Sequence, residues 1–381
     1  MPASVYPTGT TIYNPEKCWN GYTSFSAGGP PQIIDMNGNV VNSWQGLSGQ
    51  AKMFPGGYVT GTSGRTVGVR YAKNGDSSDL LQVDWDGNIV WEFSQYELVE
   101  VPGGEPVWRA RWHHDFQREG NPVGYYVPGM DPLVDRGNTL IVCHKNVVKP
   151  EMSKVPILDC TIIDVTWDVK VVWEWACTAH FEEMGFGKEA RETIARNPNI
   201  TGPATGGTDV PELTTVQYQP EPSDDQVGDW MHMNAASYLG PNKWYDMGDE
   251  RFHPENIIWD GRQTNIIAII DKKTGKLVWR VGPDYDTTEA LRNLGQIIGQ
   301  HQAHITWNRI VDDTQERFDD EQKEYEEVFN RWLGVELAED EVNLKPDALL
   351  AIWGATLETL FVRTPGSQAF NHYSEALPEG G

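Results

Sequence analysis

The chain has 381 residues, more than one simple core holds, so the sequence predicts two domains or a repeat architecture. Its formal net charge of −25 excludes nucleic acid as a partner, because phosphate binding needs a basic face, but a small anion could still enter a cationic pocket. Abundant glycine (38), proline (24) and tryptophan (16) favour short strands joined by tight turns. No apolar run reaches about 18 residues, so no membrane span is predicted.

Four segments share an apolar strand, an aspartate, a polar turn and a second apolar strand that ends near tryptophan. Asn-Gly, Asp-Gly and Thr-Gly dipeptides in these turns supply the positive φ that tight hairpins need. The four segments are residues 33–44, 82–93, 162–175 and 267–282. Because an isolated hairpin is marginally stable, the recurrence predicts that small sheets pack together in a ring.

A second repeat precedes three of these hairpins, at residues 51–62, 111–146 and 229–265. The two repeats together supply the four strands of a propeller blade. The sequence therefore predicts an all-β fold of the β-propeller type, and the tryptophans that end the hairpins are expected to pack between blades.

Two regions interrupt this pattern. Residues 176–226 begin with CTAHFEEMGFGKEARETIARNPN, which predicts a helical insertion that stops at Asn-Pro. Residues 309–345 are strongly acidic and predict an amphipathic helix. The expected organisation is a propeller domain over residues 1–308, followed by an acidic helical extension over 309–381 that packs on it.

Histidines lie where the inner strands of blades are expected to begin, so they could converge in the central channel. His114 and His232 start two such strands, and His301 and His304 lie in GQHQAHI. His144 and Arg262 each follow a histidine by 30 residues, which places them on neighbouring strands. Neutral imidazole is a nucleophile, and arginine binds tetrahedral oxyanions. With Asn234 as a further donor, the set suits metal-free phosphoryl or sulfuryl transfer.

Each of these residues also has a structural interpretation. A histidine at the start of a strand is often only hydrogen-bonded, and Arg262 could pair with one of the many carboxylates. His144 and His180 are interpreted as structural or supporting residues, and His253 and His372 as surface residues.

The four cysteines do not have the spacing of a zinc site. Cys18, Cys143, Cys160 and Cys177 lie far apart without a CxxC motif, so free buried thiols are expected. No metal and no cofactor are predicted. A metal-dependent alternative would require His114, His232 and His301 to converge on one ion.

An ordered set of motifs resembles the arylsulfotransferase family over roughly residues 7–307. The motifs are PTGTTIYNPEKCWNGYTSF, PQIIDMNGNVVNSW, AKMFPGGYV, WHHDF, GNTLIVCHKN, WEWACTAHFEEMGF, DWMHMNAAS, NIIWDGRQTN with the strand after it, and GQHQAHI. Members of that family are six-bladed propellers that need no nucleotide sulfate donor.

The resemblance implies transfer of a sulfuryl group from a phenolic sulfate ester to a phenol through a sulfo-histidine. It makes His301 the nucleophile, with His114, His232, Asn234 and Arg262 around the sulfate. We expect His144 and His304 to support substrate binding. Two alternatives stay open: a propeller hydrolase or lyase that uses the same channel, and a non-catalytic binding propeller.

The chain departs from the family pattern in two places. Gln263 stands where the family usually has histidine, and the acidic region replaces a further blade after residue 307. The ring could be incomplete, closed in another way, or completed by a second copy of the chain, which leaves a homo-oligomer possible. No secretory signal is visible at the start, so the sequence by itself predicts a soluble cytoplasmic protein, but relatives are often exported and the compartment stays open.

Overall fold

The computed structural model is an all-β protein whose sheets pack side by side in a propeller-like ring. It describes residues 21–26, 29–64, 77, 79–94, 96–99, 106–121, 131–198, 200–201 and 227–303. The C-terminal acidic helix predicted over 309–345 lies outside this range, as do His304, His372 and Cys18.

Four blade-like sheets and one ribbon follow in chain order. The first sheet contains β1 (Thr23–Phe25), β2 (Gln32–Ile34) and β3 (Val40–Ser43). The second contains β4 (Leu47–Phe54), β5 (Tyr58–Ser63), β6 (Leu80–Val83) and β7 (Ile89–Phe93). A two-stranded ribbon of β8 (Tyr96–Val99) and β9 (Val107–Ala110) leads to the third sheet.

The third sheet contains β10 (Trp112–Arg118), β11 (Thr139–Val147), β12 (Ile157–Val165) and β13 (Val171–Ala176), with the short strands β14 (Ile200–Thr201) and β15 (Val227–Gly228) at one edge. The fourth contains β16 (Met233–Tyr238), β17 (Ile257–Gly261), β18 (Ile266–Ile270) and β19 (Leu277–Val281). All four hairpins predicted from the repeat form, and so do the three strand pairs that precede them.

Local side-chain chemistry explains the repeated hairpin turns. Asp35 accepts hydrogen bonds from the backbone N–H groups of Asn37 and Asn39, at 2.9 and 2.8 Å, and a third from the side-chain amide of Asn39. Asp84 repeats this arrangement in the second sheet. Gly38 has a φ of 83°, which glycine adopts at little cost. The Asp-x-x-Gly-Asn pattern therefore encodes the turn directly.

Tryptophans at the ends of the hairpins connect each sheet to the next one. Each indole N–H donates to a backbone carbonyl in the hairpin turn of the following sheet. The bonds run from Trp44 to Asp84 (3.1 Å), from Trp91 to Trp167 (3.0 Å) and from Trp175 to Gly275 (2.9 Å). This recurring bond confirms the predicted packing role of these tryptophans.

Apolar cores lie between adjacent sheets. Trp91 and Leu80 pack against Phe116 and Ile141 between the second and third sheets. A larger core between the third and fourth sheets contains Ile162, Trp175, Met184, Trp259 and Ala268. Because each sheet buries a face on its neighbour, the sheets stabilise one another rather than fold alone.

A buried carboxylate connects the inner strands of three sheets. Lys52 on β4 lies 2.5 Å from Asp115 on β10, and the backbone N–H of Ala236 on β16 donates to the same carboxylate at 3.1 Å. The first strands of the second, third and fourth sheets therefore lie around a common centre.

Helices are short and lie outside the sheets. They are a 3₁₀ turn Cys177–His180, α1 (Lys188–Arg196), α2 (Lys243–Asp246), a 3₁₀ turn Glu250–Phe252 and α3 (Glu289–Leu294). The first two lie in the region for which the sequence predicts a helical insertion. In the described part of the chain, no helix has the length and apolar character needed to cross a membrane.

Candidate active site

An irregularity at the start of β10 brings two consecutive histidines together. In a regular strand, His113 and His114 would point to opposite faces. Here the pairing register shifts between Trp112 and Phe116, and His114 has a φ of 54°. The Nδ1 atoms of the two histidines are consequently 2.8 Å apart. A positive φ at a residue other than glycine is uncommon, and such bulges concentrate near active sites.

His113 and His144 form a buried stack behind His114. Their ring centroids are 3.5 Å apart and the ring planes differ by 15°. His144 lies on β11, where its backbone N–H donates to Arg111 at 2.7 Å. The cross-strand placement of His144 agrees with the sequence prediction, and the structure places its ring behind His114.

Burial keeps the consecutive residues His113 and His114 neutral. Desolvation, helped by the neighbouring imidazoles, lowers the pKa of His113 well below its ordinary value. Desolvation also lowers the pKa of His114 to about 3, with further contributions from His232, His144 and His301. At neutral pH, His114 is therefore an uncharged imidazole.

A histidine–aspartate pair lies next to His114. The rings of His114 and His232 are 4.8 Å apart in an edge-to-face arrangement. His232 Nδ1 lies 2.5 Å from Asp229 Oδ2. Burial alone would raise the pKa of Asp229, but the hydrogen bond from His232 and the nearby histidines hold it below its ordinary value. Asp229 is therefore a carboxylate that accepts the Nδ1 proton of His232, which leaves Nε2 of His232 for other partners.

The loop that carries His301 is fixed by its neighbours. Asn234 Nδ2 donates to the Gln300 carbonyl at 3.1 Å, and Gln300 Nε2 donates to the carbonyls of Gly261 and Ile266 at 2.9 and 3.0 Å. On the other side, the Ala303 N–H donates to Asp260 at 2.8 Å. Both flanks of His301 are thereby attached to the fourth sheet.

The tautomer of His301 follows from its hydrogen bond. Its Nδ1 lies 3.1 Å from the Gly299 carbonyl oxygen, which can only accept, so Nδ1 carries the proton and Nε2 has a lone pair. His301 is partly buried, and its effect on the pKa of His114 places the two histidines within electrostatic reach. In the neutral form of His301, Nε2 is therefore the nucleophilic nitrogen.

Arg262 is attached to the same cluster through its backbone. Its N–H donates to the His232 carbonyl at 3.1 Å, as the spacing of 30 residues predicts. The guanidinium is partly exposed, and among the residues that the structure describes it has no hydrogen bond or ion pair. The alternative interpretation, in which Arg262 pairs with a carboxylate, is therefore not realised among the described residues, and the guanidinium can bind an anionic ligand.

A cavity of about 1020 Å³ reaches Gln263, the residue after Arg262, but neither Arg262 nor any candidate histidine lines it. Trp230, Gln263 and Asn265 line one side of it, and Phe186 and Tyr285 line others. The cavity has room for a small aromatic molecule, but its lining is separate from the histidine cluster.

Three buried groups deserve comparison with a metal site. A ring nitrogen from each of His113 and His144 and the sulfur of Cys160 lie within 4.8 Å of one another. An imidazole binds a metal along its ring plane, and the two parallel, stacked rings direct their lone pairs side by side rather than at one point. This geometry does not fit an ion. Cys143, Cys160 and Cys177 are free buried thiols, as predicted.

The sequence missed three residues that position the site. Asp229 precedes His232 by three residues in DWMHMN, and this short spacing next to a candidate histidine was the available signal. Asp260 and Gln300 hold the His301 loop through hydrogen bonds to residues far away in the chain, which no local sequence motif predicts. His180 lies elsewhere, stacked on Trp175 and paired with Glu183, and His253 lies in a turn beside Tyr245.

The fold and this cluster define a propeller-like protein with a histidine-rich site and an arginine beside it. The model of the arylsulfotransferase (ASST) family matches residues 132–308, which confirms the resemblance seen in the sequence motifs. This range includes His144, His232, Asn234, Arg262 and His301. The match supports aryl sulfotransfer as the general activity. No curated protein and no solved structure matched the chain.

Proposed function

We propose that this protein transfers a sulfuryl group from a phenolic sulfate ester to a phenol, with His301 as the covalent carrier. The observation that carries the proposal is the convergence of His114, His232 and His301 from three separate segments. The family match over most of these residues supports the same chemistry.

In the first half-reaction, Nε2 of His301 attacks the sulfur of the ester. An N–S bond forms, the ester S–O bond breaks, and the phenol leaves with the electron pair of that bond. In the second half-reaction, the acceptor oxygen attacks the same sulfur and the N–S bond breaks. The hydrogen bond from Nδ1 of His301 to Gly299 supports this role, because it orients the ring and disperses the positive charge that forms on it.

Arg262 and His114 are the proposed donors to the sulfuryl oxygens. A guanidinium matches the geometry of a tetrahedral anion and supplies charge, while the neutral His114 supplies a directed N–H. Because the side-chain amide of Asn234 donates a hydrogen bond to the Gln300 carbonyl, we assign Asn234 the role of positioning the His301 loop. His144 lies behind His113 and is assigned a supporting role.

His232 is the proposed proton donor to the leaving phenolate, and the proposed base for the incoming phenol. A carboxylate on Nδ1 stabilises the imidazolium and aims Nε2, as in other histidine–aspartate pairs. His232 begins as the imidazolium, gives its Nε2 proton to the leaving phenolate in the first half-reaction, and takes a proton from the acceptor phenol in the second. Proton and charge therefore balance over one cycle.

The site accepts an anion although the chain carries a net charge of −25, because Arg262 provides a local positive charge. The six-bladed closure that the resemblance implies is also part of this proposal.

The direct test uses a chromogenic aryl sulfate with and without a phenol. Turnover that depends on the phenol is expected. Release of the chromophore to water alone would indicate a hydrolase instead. No turnover, with binding of the aryl sulfate retained, would favour a binding protein and contradict the proposal.

A further inference from the structure

The contact between His113 and His114 has a chemical consequence for the site. Their Nδ1 atoms are 2.8 Å apart, so one nitrogen must carry the proton and the other must accept it. Both imidazoles are neutral, because burial lowers the pKa of each. Two tautomeric arrangements are therefore possible, and they present opposite chemistry to a substrate at the far nitrogen of His114.

The surroundings of His113 distinguish between these arrangements. His113 is fully buried, and its Nε2 has no hydrogen-bond partner among the described residues. If His114 donated to His113, Nε2 of His113 would carry an N–H without an acceptor in the protein interior. If His113 donates instead, that Nε2 is a bare lone pair. Buried N–H groups without partners are rarer and more costly than under-used acceptors.

The neighbouring thiol favours the second arrangement as well. Cys160 Sγ lies within 4.8 Å of the ring nitrogens of His113 and His144. Burial raises the pKa of Cys160 well above its ordinary value, so the sulfur keeps its proton. The sulfur already accepts the Met233 N–H at 3.3 Å. A thiol offers its S–H as a weak donor, which suits a bare imidazole nitrogen better than an N–H.

We propose that His113 is a positioning residue that donates its Nδ1 proton to His114 and so holds His114 in the Nε2–H tautomer. His114 then presents a neutral N–H donor to the sulfuryl oxygens of the substrate. The opposite tautomer would present a lone pair, which repels those oxygens. This inference rests on the proposed function for its catalytic consequence, but the tautomer itself is a property of the protein alone.

His114 and His232 then have separate roles in the reaction. His114 keeps its proton throughout the reaction and contributes a hydrogen bond of constant charge. His232, whose Nδ1 bonds to a carboxylate, exchanges a proton with the phenols.

The tautomer is measured directly by nitrogen NMR of the full chain labelled with ¹⁵N-histidine. The chemical shifts of ring nitrogens distinguish N–H from a bare nitrogen, and loss of one spin system in His114→Gln assigns the His114 signals. We expect protonated Nε2 and bare Nδ1 at His114 between about pH 5 and 8. A proton on Nδ1 of His114 would overturn the inference, whether or not the protein transfers sulfuryl groups.

A matched pair of variants tests the consequence. In His113→Asn, the side-chain amide N–H stands near the place of Nδ1 and can still donate to His114. In His113→Asp, a carboxylate at the same place accepts a proton from His114 Nδ1 and reverses the tautomer. We expect kcat/KM within about ten-fold of the natural protein for His113→Asn, and about 10²-fold or more below it for His113→Asp, the usual effect of losing one preorganised donor.

The NMR spectra of the variants keep this comparison interpretable. Retained Nε2–H in His113→Asn together with retained activity supports the inference. Equal activity in both variants, with His114 reversed in one of them, would overturn it. If the natural protein is inactive with aryl sulfates, the proposed function fails, while the NMR result still decides the tautomer.

Discussion

The Nδ1 atom of His232 lies 2.5 Å from the Oδ2 atom of Asp229, and the ring of His232 stands edge-on to that of His114. A positive φ of 52° at His232 turns the chain so that residues three apart can form this pair. The carboxylate is buried and ionised, so it fixes the orientation of the imidazole. The pair is therefore built for proton transfer at Nε2.

Replacing Asp229 with asparagine is expected to lower kcat by about 10²-fold, the usual contribution of one acid–base group. The amide is neutral and cannot stabilise an imidazolium at His232. The loss should be larger for a phenyl sulfate donor than for a nitrophenyl sulfate donor, since a poor leaving group depends more on protonation. Steady-state kinetics with both donors measures this difference.

The control for this variant is Asp168→Asn, which alters an exposed carboxylate paired with Lys170 in a hairpin turn. It should leave the rates with both donors unchanged. An equal loss with both donors in Asp229→Asn would assign Asp229 a structural role only.

Replacing Arg262 with glutamine is expected to raise KM and lower kcat together. Its charge would meet the sulfate in both the ground state and the transition state, so both quantities depend on it. We expect a total loss of about 10²–10³-fold in kcat/KM, and a smaller loss in Arg262→Lys, which keeps the charge without the planar fork.

Arg251→Gln provides the matched control, because Arg251 is exposed and pairs with Asp249 away from the cluster. Kinetics that match those of the natural protein are expected for it. Arg262→Gln with an unchanged KM would remove Arg262 from the ground-state binding of the sulfate.

Asp260 should make the stability of the protein dependent on pH. Burial raises the pKa of Asp260 to about 7, although hydrogen bonds from Ala303 and Asn234 favour its ionised form. In the unfolded chain the pKa of this carboxyl is about 4, so the folded protein binds the proton more tightly than the unfolded chain does. The stabilisation is complete below about pH 4, declines as pH rises, and is lost above about pH 7.

In Asp260→Asn this contribution disappears. The free energy of unfolding of the natural protein should decline relative to that of the variant by up to about 1.4 kcal/mol per pH unit between pH 4 and 7. Urea unfolding at several pH values measures this difference. A difference that stays constant across this range would contradict the raised pKa of Asp260.

The tryptophans that connect sheets should contribute measurably to stability. Trp91 is buried and donates to the Trp167 carbonyl at 3.0 Å. Trp91→Phe removes that hydrogen bond and part of the packing, which should cost about 2–4 kcal/mol. Trp108→Phe alters an exposed ring and should change the free energy of unfolding by less than about 0.5 kcal/mol. Equal losses in the two variants would contradict the connecting role of Trp91.

Much of the fold could be predicted because its signals are local. The Asp-x-x-Gly-Asn turns at Asp35 and Asp84 satisfy their own hydrogen bonds within five residues, so the sequence of the turn is sufficient to specify it. The hairpin tryptophans recur with the sheets that they connect. His232 and Arg262 could also be placed side by side, because they directly precede β16 and follow β17, which pair as neighbouring antiparallel strands.

The details of the site could not be predicted because they depend on irregular backbone. His113 and His114 meet only because a positive φ at His114 breaks the alternation of the strand. His301 and His304 are three residues apart, and in a uniformly extended segment their side chains would point to opposite faces. Gln302 between them has a φ of 58°, so the segment is not uniformly extended and strand alternation does not decide between the two.

The central claim is that His301 carries the sulfuryl group, and mass spectrometry tests it most directly. The protein is mixed with an aryl sulfate, quenched at high pH, where a sulfo-histidine survives, and digested. We expect a sulfuryl adduct on His301 within residues 296–307 of the natural protein. In His301→Ala the adduct should be absent and turnover should fall by at least about 10³-fold, whereas the control His253→Ala should retain the adduct. An adduct that persists in His301→Ala, or that lies on His304 or His232 in the natural protein, would contradict the account.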